Sequence, residues 1–406
     1  MSAILEGIKI LDLTRVIAGP MCTQILADMG ATVYKIEKPG EGDDTRRMGP
    51  FLQDPATGQP SNDSALYLAY NRGKHSVTVD IATPEGAQLM RDLALRCDVV
   101  VENYKVGSLA KYGLDEASLR ALKPELIYCS VTGFGQTGPY APKPAYDFIL
   151  QGLAGPMSTC GLPDDQPGGG PMRTAIPMTD MVTGLYATIG ILGALMHRQK
   201  TGEGQAIDAA MLDATVAFNG HLAVGYLMSD KAPQRVGNTN PIASPSEVFE
   251  CADGRIIIAA GNNGQFQQLC AVLGAPDMSA DPRFATNMQR IAHRNELREA
   301  LQALVRERSR AQLLEQLSEA TVPAGPINDM AQVFADPQTQ HRHMVVELPH
   351  SSGQTVRVVR SPLNWSASPV THRAPPCLGE HSVQTLREEL GLTDAQVEGL
   401  VARGVV

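Results

Sequence analysis

At about 150 residues per domain, a chain of 406 residues is predicted to form two or three domains that fold without disulfides or metals. Hydrophobic residues make up 43% and charged residues 19% of the chain, which is a globular composition and excludes the disordered and fibrous classes. The net charge of −9 repels nucleic acids and anionic lipids, so we expect neither a nucleic acid nor a membrane as a partner.

The first third of the chain alternates between predicted strands and predicted helices. Apolar runs predict strands at residues 8–13, 32–37, 76–80, 97–102 and 126–132. Apolar periodicity and capping signals predict helices at residues 20–29, 84–96 and 115–122. Strands that alternate with helices favour a mainly parallel sheet covered on both faces, so the predicted fold class is α/β.

A long apolar helix is predicted at residues 178–199. Its uncharged stretch, residues 181–196, is shorter than the roughly 18 to 20 residues that a bilayer requires, so we interpret it as a buried helix. Small residues recur at every third position, which predicts the close approach of another element: Gly184, Ala187, Gly190 and Gly193.

The second half of the chain begins with a predicted strand at 205–209 and a predicted helix at 212–228. A loop rich in Asn, Pro and Ser at 237–246 indicates a change of domain. A smaller α+β unit should follow, with a strand at 255–259 and helices at 265–273 and 295–319. The spacing of Thr393 and Gln396 predicts a capping box that begins a C-terminal helix.

The seven cysteines are odd in number and never occur as C-x-x-C, which argues against a disulfide framework or a zinc site. The nine histidines are scattered, so we predict no catalytic metal. The N-terminus shows no basic segment followed by an apolar one, so we do not expect export. These features predict a reducing compartment and a cytoplasmic location.

Residues 133–138 (GFGQTG) form a G-x-G-x-x-G pattern directly after a predicted strand, as in nicotinamide-binding folds. In those folds the last glycine opens a helix. Here Pro139, Pro142 and Pro144 prevent a helix from starting there, and no acidic residue ends a next strand about 20 residues on. We therefore favour a glycine-rich loop over a nicotinamide site.

Basic residues follow several predicted strands, where a doubly wound fold places its ligand crevice. They predict a phosphate-bearing ligand, although each one is also an ordinary candidate for a solvated surface charge. These residues are Lys35, Lys38, Arg46, Arg47, Arg72, Lys74, Lys105 and Lys111.

Asp180 lies at the start of the long apolar helix. One interpretation is structural, because Asp is a common cap or first-turn residue. The other is catalytic: we expect the helix N-terminus to lower the pKa of the carboxyl, which keeps it ionised and able to act as a nucleophile. The residues alone leave both open.

Twelve ordered segments resemble the class III CoA-transferases of the CaiB/BaiF type. They are residues 11–20 (LDLTRVIAGP), 26–31 (LADMGA), 35–39 (KIEKP), 42–46 (GDDTR), 71–74 (NRGK), 102–104 (ENY), 133–139 (GFGQTGP), 146–147 (YD), 178–180 (MTD), 201–204 (TGEG), 322–326 (VPAGP) and 378–381 (LGEH). The resemblance implies an interlocked homodimer. It also implies a large Rossmann-like domain built from both chain ends and a smaller α+β domain. The expected boundaries are 1–225 for the large CoA-binding domain, 226–246 for a linker, 247–330 for the small domain, and 331–406 for a linker and the return to the large domain.

The resemblance implies that Asp180 is the nucleophile, and that coenzyme A is a substrate rather than a permanent cofactor. The positions that match the family's CoA contacts are Val16, Lys38, Lys74, Asn103, Tyr104 and Lys111, and Tyr146 lies in the matching YD segment. The implied reaction moves CoA from an acyl-CoA donor to a carboxylic acid through aspartyl anhydrides and an aspartyl–CoA thioester, with no metal or ATP.

Residues 43–46, 178–180 and 261–263 resemble the branch of this family that uses succinyl-CoA and dicarboxylic acids. The expected donor is succinyl-CoA, and the expected acceptor is a dicarboxylate such as glutarate or itaconate. Arg46 and Arg173 are candidate clamps for the distal carboxylate, because a guanidinium binds a carboxylate through two hydrogen bonds.

Three alternatives stay open. The same family contains α-methylacyl-CoA racemases, which need an acid–base pair, and this chain has Tyr146–Asp147 where racemases carry His–Asp. Because a tyrosine with a pKa near 10 is a poor base at neutral pH, we favour transfer. The others are a nicotinamide-dependent oxidoreductase and a CoA-binding protein without turnover.

Overall fold

The computed structural model describes residues 2–53 and 57–406, which form two compact units. The first unit contains the described parts of Met1–Gly155 together with Thr174–Asp230 and Gln338–Val406, and the second contains Pro156–Arg173 and Lys231–Pro337. The first unit therefore includes both ends of the described chain.

The first half of the chain alternates strands and helices as predicted. Its elements are β1 Lys9–Asp12, α1 Ala18–Asp28, β2 Thr32–Glu37, β3 Phe51–Gln53, β4 Pro60–Ser64, α2 Ala65–Tyr70, β5 His75–Thr78, α3 Pro84–Arg96, β6 Val99–Glu102, α4 Glu116–Leu122, β7 Ile127–Thr132, α5 Asp147–Leu153, α6 Pro156–Thr159, α7 Met178–Thr201, β8 Ala206–Ala210, α8 Met211–Phe218 and α9 His221–Ser229.

The second half contains shorter elements. They are β9 Ser246–Cys251, β10 Gly254–Ala259, α10 Asn263–Val272, α11 Asn287–Ala292, α12 Arg294–Val305, α13 Arg310–Glu319, β11 Ala324–Pro326, α14 Met330–Ala335, α15 Pro337–His341, β12 Val345–Pro349, β13 Thr355–Val359, α16 Ser382–Leu390 and α17 Asp394–Ala402. Helix α17 begins with the predicted capping box of Thr393 and Gln396.

A six-stranded parallel sheet organises the first unit, in the order β5-β2-β1-β6-β7-β8. This confirms the α/β class. Strand β6 shows why the sheet is apolar throughout: Val99 and Val101 face one buried cluster, and Val100 faces the other. The strand order reverses direction at β1, so the carboxyl ends of β1 and β6 form a topological switch point.

Helices α1 and α7 pack on one face of this sheet. Gly184 makes their close approach possible, because a Cβ atom there would lie 2.7 Å from the carbonyl oxygen of Ala18. Gly193 has open space around it, so only part of the predicted stripe of small residues serves the packing. By length and composition α7 could cross a membrane, but one such helix is weak evidence for a span, and half of its most apolar stretch is buried.

The second unit contains a three-stranded antiparallel sheet in the order β11-β10-β9. Ile256 and Ile258 are fully buried against helices α10, α12 and α13, whereas Ile257 is exposed, as expected for a sheet with one solvated face.

The unit boundaries differ from the sequence prediction in one main respect. Pro156–Arg173, predicted within the large domain, belong to the second unit. Hydrogen bonds explain this placement: Gly237 N–H donates to the Gly161 carbonyl (3.1 Å), and Arg235 Nε donates to the Leu162 carbonyl (3.1 Å). The second unit also ends at Pro337 instead of near residue 330.

Two helices that were predicted as continuous are each divided into two in the structure. The predicted helix 212–228 is divided into α8 and α9, because Gly220 adopts a φ of +52° between them. The predicted helix 295–319 is divided into α12 and α13, and the extended backbone of Ser309 precedes the second. Several elements had no prediction, among them strands β9, β12 and β13 and helix α16.

Candidate active site

The switch point brings together two loops that are far apart in the sequence. One follows β1 and carries Arg15 and Val16, and the other follows β6 and carries Asn103 and Tyr104. The side-chain amide of Asn103 joins them: its Oδ1 accepts from the Arg15 N–H (2.9 Å), and its Nδ2 donates to the Arg15 carbonyl (2.7 Å). Asn103 thus fixes the backbone of the first loop.

Val16 adopts a left-handed backbone conformation with a φ of +72°. This conformation is strained for a β-branched residue and persists only where the surroundings impose it. Here the N–H of Val16 donates to both carboxylate oxygens of Asp43 (3.3 Å each), and buried Lys35 holds Asp43 in turn (2.8 Å). Although burial raises the pKa of Asp43, Lys35 and hydrogen bonds from Thr45 lower it to about 2.

A cavity of about 420 Å³ lies against these loops, and all its lining residues belong to the first unit. We call it the switch-point pocket. Its lining includes Arg15, Val16, Asn103, Tyr104, Tyr146 and Asp180. Four of the seven predicted CoA-binding positions therefore share one cavity with the predicted nucleophile.

Asp180 is the third residue of α7 and lies in its first turn. One helical turn later, Gly184 lets α7 pack against the first residue of α1. The backbone N–H of that residue, Ala18, favours the ionised form of the Asp180 carboxylate and so lowers its pKa. The close packing of two helices thus places a backbone donor beside the carboxylate.

The pKa of Asp180 is raised to about 7, whereas the sequence predicted a lowered pKa. Burial is the largest cause, and the negative charge of Asp147 is the second. The backbone N–H of Ala18 opposes both causes but does not outweigh them. Asp180 also influences Tyr70, since burial and the charge of Asp180 raise the pKa of that phenol.

Asp147, not Asp180, accepts hydrogen bonds at the start of α7. Its Oδ1 accepts from the N–H of Thr179 (2.8 Å) and from the Thr179 hydroxyl (2.7 Å), and its Oδ2 accepts from Gln151 (2.7 Å). Asp180 makes no side-chain cap to its own helix. Asp180 does lie in the first turn, as the structural interpretation expected, but the described side-chain hydrogen bond to the start of α7 comes from Asp147.

Two predicted site residues are buried away from the pocket. Lys74 is 2% exposed, and its ammonium donates to Asp12 (3.0 Å), Asn71 (2.9 Å) and the Pro20 carbonyl (2.9 Å). Arg46 is 3% exposed and donates to Glu37 through Nε (2.7 Å) and Nη2 (2.9 Å). These contacts hold the first unit together, so the structure brings neither cation to the pocket.

Three other predicted residues are exposed and lie outside the lining of the pocket. Lys38 follows β2 and pairs with Glu41. Lys111 lies in the short turn Ala110–Tyr112, with its ammonium 4.6 Å from the centre of the Tyr112 ring. Arg173 ends the first segment of the second unit.

Three cations line the pocket: Arg15, Lys105 and Lys143. Lys105 was named from the sequence among the basic residues that follow strands, but neither Arg15 nor Lys143 was selected. The guanidinium of Arg15 lies 5.5 Å from the centre of the Tyr104 ring and pairs with Asp44 (3.1 Å). The same signal was available for Arg15, because it also follows a strand that borders the switch point. Lys143 lies in a loop whose path only the tertiary structure defines.

The glycine-rich loop after β7 forms part of the same wall. The next helix, α5, begins only at Asp147, as the prolines predicted. Gly133 lines the pocket, and a Cβ atom there would lie 2.2 Å from the Cβ of Ala145, so glycine permits the loop to fold back on itself.

Comparison with known proteins identifies the family. The family model described as CoA-transferase family III matches residues 5–382. The chain is 46% identical over 385 residues to a succinate–glutarate CoA-transferase of Agrobacterium fabrum, covering 95% of each protein. It is 40% identical to the succinyl-CoA:glutarate CoA-transferase of Homo sapiens, covering 99% of this chain and 90% of that protein.

A solved structure agrees with this result. A CAIB/BAIF family protein from Brucella suis has a TM-score of 0.85 and 43% sequence identity, covering 96% of this chain and 100% of that chain. The resemblance read from the motifs is confirmed. The chain belongs to CoA-transferase family III and is an enzyme of that family.

Proposed function

We propose that this enzyme moves CoA from succinyl-CoA to a dicarboxylic acid such as glutarate or itaconate, with Asp180 as the nucleophile. The observation that carries the proposal is the position of Asp180 in the switch-point pocket, beside Val16, Asn103 and Tyr104. The similarity to two glutarate-using CoA-transferases supports the substrate class.

The ionised carboxylate of Asp180 attacks the thioester carbonyl of the donor, and CoA thiolate leaves, which gives a mixed anhydride. The thiolate then attacks the aspartyl carbonyl, which releases succinate and forms an aspartyl–CoA thioester. The acceptor carboxylate attacks this thioester and displaces the thiolate. The thiolate finally attacks the acceptor's acyl carbon in the second anhydride, which gives the new acyl-CoA and restores Asp180.

Desolvation serves this chemistry. A partly buried carboxylate is less stabilised by water, so its ionised form gains more from attacking a carbonyl. The pKa of about 7 still leaves a large ionised fraction at neutral pH. The N–H of Ala18, which faces the carboxylate, is also a candidate donor for the oxyanion of each tetrahedral intermediate.

CoA is proposed to bind across the loops of the switch point, in contact with Val16, Asn103, Tyr104 and Tyr146. Exposed Lys38 and Lys111 are proposed to meet its phosphates, where cations interact favourably. Buried Lys74 is assigned a positioning role instead, because it supports the turn that follows β1.

For the distal carboxylate of the acceptor, Arg173 remains our candidate clamp. Arg46 is not proposed for this role, since its guanidinium is engaged by Glu37 and Asp63. It also stacks on Tyr67, 3.6 Å from the ring centre.

The racemase alternative is less favoured. A racemase requires a base that is free to accept an α-proton. Asp147, the candidate for that role, accepts three hydrogen bonds at the start of α7 and on α5. Tyr146 is exposed and has no carboxylate partner among its described hydrogen bonds.

We also propose that the enzyme is a cytoplasmic homodimer. Its seven cysteines are all free thiols, which agrees with a reducing compartment. In a single chain, helices α5, α7, α8 and α9 expose many large apolar side chains, a feature typical of surfaces covered by a partner. These include Phe148, Ile149, Leu185, Ile189, Phe218, Leu227 and Met228. Light scattering coupled to gel filtration measures the mass in solution, and a single-chain mass would contradict the dimer.

Intact-protein mass spectrometry tests the reaction. The enzyme is mixed with succinyl-CoA, with and without a panel of dicarboxylic acids, and both protein adducts and new acyl-CoA species are recorded. We expect an adduct at Asp180 and a new acyl-CoA with one of the acids. Asp180→Asn should lose both and still bind CoA.

Asp213→Asn is the matched control, because Asp213 is also the third residue of a helix but is exposed on α8. It should retain the adduct and the transfer. An Asp180→Asn enzyme with unchanged turnover would overturn the proposal. Exchange of an α-proton of a 2-methylacyl-CoA, without any transfer, would favour the racemase.

A further inference from the structure

Three side chains that commonly bind metals lie together in the first unit, outside the lining of the switch-point pocket. Asp63 comes from β4, His350 from the turn between β12 and β13, and Cys377 from the segment before α16. One oxygen, nitrogen or sulfur atom of each lies within 4.8 Å of those of the other two. We call this group the Asp63–His350–Cys377 cluster.

His350 provides the observation that points to a ligand. Its side chain is 5% exposed, and Nε2 is buried without a hydrogen-bond partner. A buried polar atom without a partner is costly, so in folded proteins such an atom is usually satisfied by a ligand, an ion or an ordered water. The opposite ring nitrogen, Nδ1, lies 2.7 Å from the Ser352 hydroxyl. Nδ1 also accepts from the backbone N–H of Ser352 (3.3 Å), so for Nε2 to bind a metal Nδ1 must take the proton, give up this longer bond and donate to the Ser352 hydroxyl.

Asp63 supplies an anionic oxygen. The residue is 5% exposed, and its Oδ1 accepts from Arg46 (3.3 Å), so a metal could still be bound through the second oxygen. Arg46 does not oppose a cation as an unpaired charge would, because its guanidinium forms two shorter hydrogen bonds to Glu37.

Cys377 completes the set and is only half buried, which gives a cation a way in from solvent. Glu380 holds its loop in place. The Oε2 of Glu380 accepts from the N–H of Cys377 (2.8 Å) and from the hydroxyl of Ser351 (2.6 Å), the residue next to His350. The same carboxylate thus orients the two loops that carry His350 and Cys377. In known metal sites, hydrogen bonds from neighbouring residues orient the ligands in a similar way.

We propose that the Asp63–His350–Cys377 cluster binds one divalent cation of the zinc type. Carboxylate, imidazole and thiolate are all zinc ligands, and bonds of about 2.0 to 2.3 Å at tetrahedral angles separate ligand atoms by about 3.3 to 3.8 Å. The cluster reaches this spacing with side-chain movements of roughly 1 Å. Water occupies the fourth position on the side where Cys377 is exposed.

The cation would join the C-terminal part of the chain to β4, near the buried ion pair of Arg46 with Glu37. Because folding brings the three ligands together, binding to the folded state stabilises it. The spacing of the cysteines could not reveal this site, since its ligands come from three distant parts of the chain. The site is independent of the proposed chemistry at Asp180.

Cobalt spectroscopy on the full chain tests the proposal. The protein is treated with a chelator, dialysed and titrated with Co²⁺ alone. We expect one Co²⁺ per chain, a sulfur-to-cobalt charge-transfer band in the near ultraviolet, and loss of the band when Zn²⁺ is added. Cys377→Ser should remove the band, and His350→Gln should weaken binding at least tenfold. Cys160→Ser, which changes another half-buried cysteine, should leave the band unchanged, as should Asp180→Asn.

A second measurement needs no variant. Saturating Zn²⁺ should slow the alkylation of Cys377 by iodoacetamide at least tenfold and leave that of Cys160 unchanged, as read by peptide mass spectrometry. Absence of the band in the wild-type protein, a band that survives Cys377→Ser, or alkylation of Cys377 that Zn²⁺ does not slow would each overturn the proposal.

Discussion

Asp147 stabilises the start of the helix that carries Asp180 and at the same time opposes the ionisation of Asp180. Its carboxylate accepts from the N–H of Thr179 (2.8 Å), the residue directly before Asp180. Its negative charge adds to burial in raising the pKa of Asp180 to about 7. One side chain therefore sets both the position and the proton affinity of the proposed nucleophile.

This relationship predicts the pH dependence of transfer. Because Asp180 must be ionised to attack, kcat/KM should fall about tenfold per pH unit below an apparent pKa near 7. Asp147→Asn keeps an oxygen acceptor for Thr179 but removes the charge, so this acidic limb should shift to lower pH by roughly one unit. Steady-state kinetics from pH 5 to 9 measure the limb. A limb that does not shift in Asp147→Asn would exclude the charge of Asp147 as a cause.

The same pKa predicts how Asp180 affects stability. Its pKa is about 7 in the folded chain, against an ordinary value of 3.8, so the unfolded chain releases the proton first as pH rises. The carboxyl therefore destabilises the fold increasingly between about pH 4 and 7, and fully above pH 7. Asp180→Asn should raise the melting temperature by several degrees at pH 8 and by little at pH 4. Thermal unfolding without CoA measures both, and an equal effect at the two pH values would contradict the argument.

Gly184 should be needed for the packing of α7 on α1. In Gly184→Ala the added Cβ would lie 2.7 Å from the Ala18 carbonyl oxygen, so α7 must move, at a cost of about 1 to 3 kcal/mol. Because the backbone N–H of Ala18 favours the ionised form of Asp180, we also expect kcat to fall at least tenfold. Gly193→Ala is the matched control, since a Cβ there meets open space; it should gain up to about 1 kcal/mol from helix propensity. Urea unfolding measures the stability of both variants, and steady-state kinetics measure their kcat. Equal stability of the two variants would contradict the prediction.

Variants of Lys74 and Lys38 should distinguish a lysine that stabilises the fold from one that binds CoA. Lys74→Met leaves Asp12 buried without its cation, so the free energy of unfolding should fall by about 3 to 5 kcal/mol. Lys38→Met removes an exposed charge and should change stability by less than about 0.5 kcal/mol, while KM for acyl-CoA rises several-fold. Denaturant unfolding combined with kinetics tests both. The reverse pattern would assign CoA binding to Lys74.

Local physics made much of the fold predictable. Helix α3 begins and ends at the predicted residues because Thr83 caps it and Pro84 occupies its first turn. The alternation of apolar strands and helices was enough for the α/β class, and the ordered motifs were enough for the family. The position of Asp180 at the start of a long helix was also correct.

What the sequence could not decide depends on partners that are distant in the chain. In the sequence, Lys74 and Arg46 cannot be distinguished from exposed cations. Only the fold shows that they are buried and paired with Asp12 and Glu37. The pKa of Asp180 was predicted in the wrong direction, because the sequence shows the helix N-terminus but neither the burial of Asp180 nor the proximity of Asp147.

The sequence by itself determined the alternating elements of the first third of the chain, the α/β class and the family of this protein, because helix capping and apolar periodicity act over a few neighbouring residues. The tertiary structure decided the strand order, and with it the switch point at which Asn103 holds Arg15. It also decided which charges are free to meet a ligand, because burial and Coulomb interactions depend on distance in space and not on distance along the chain.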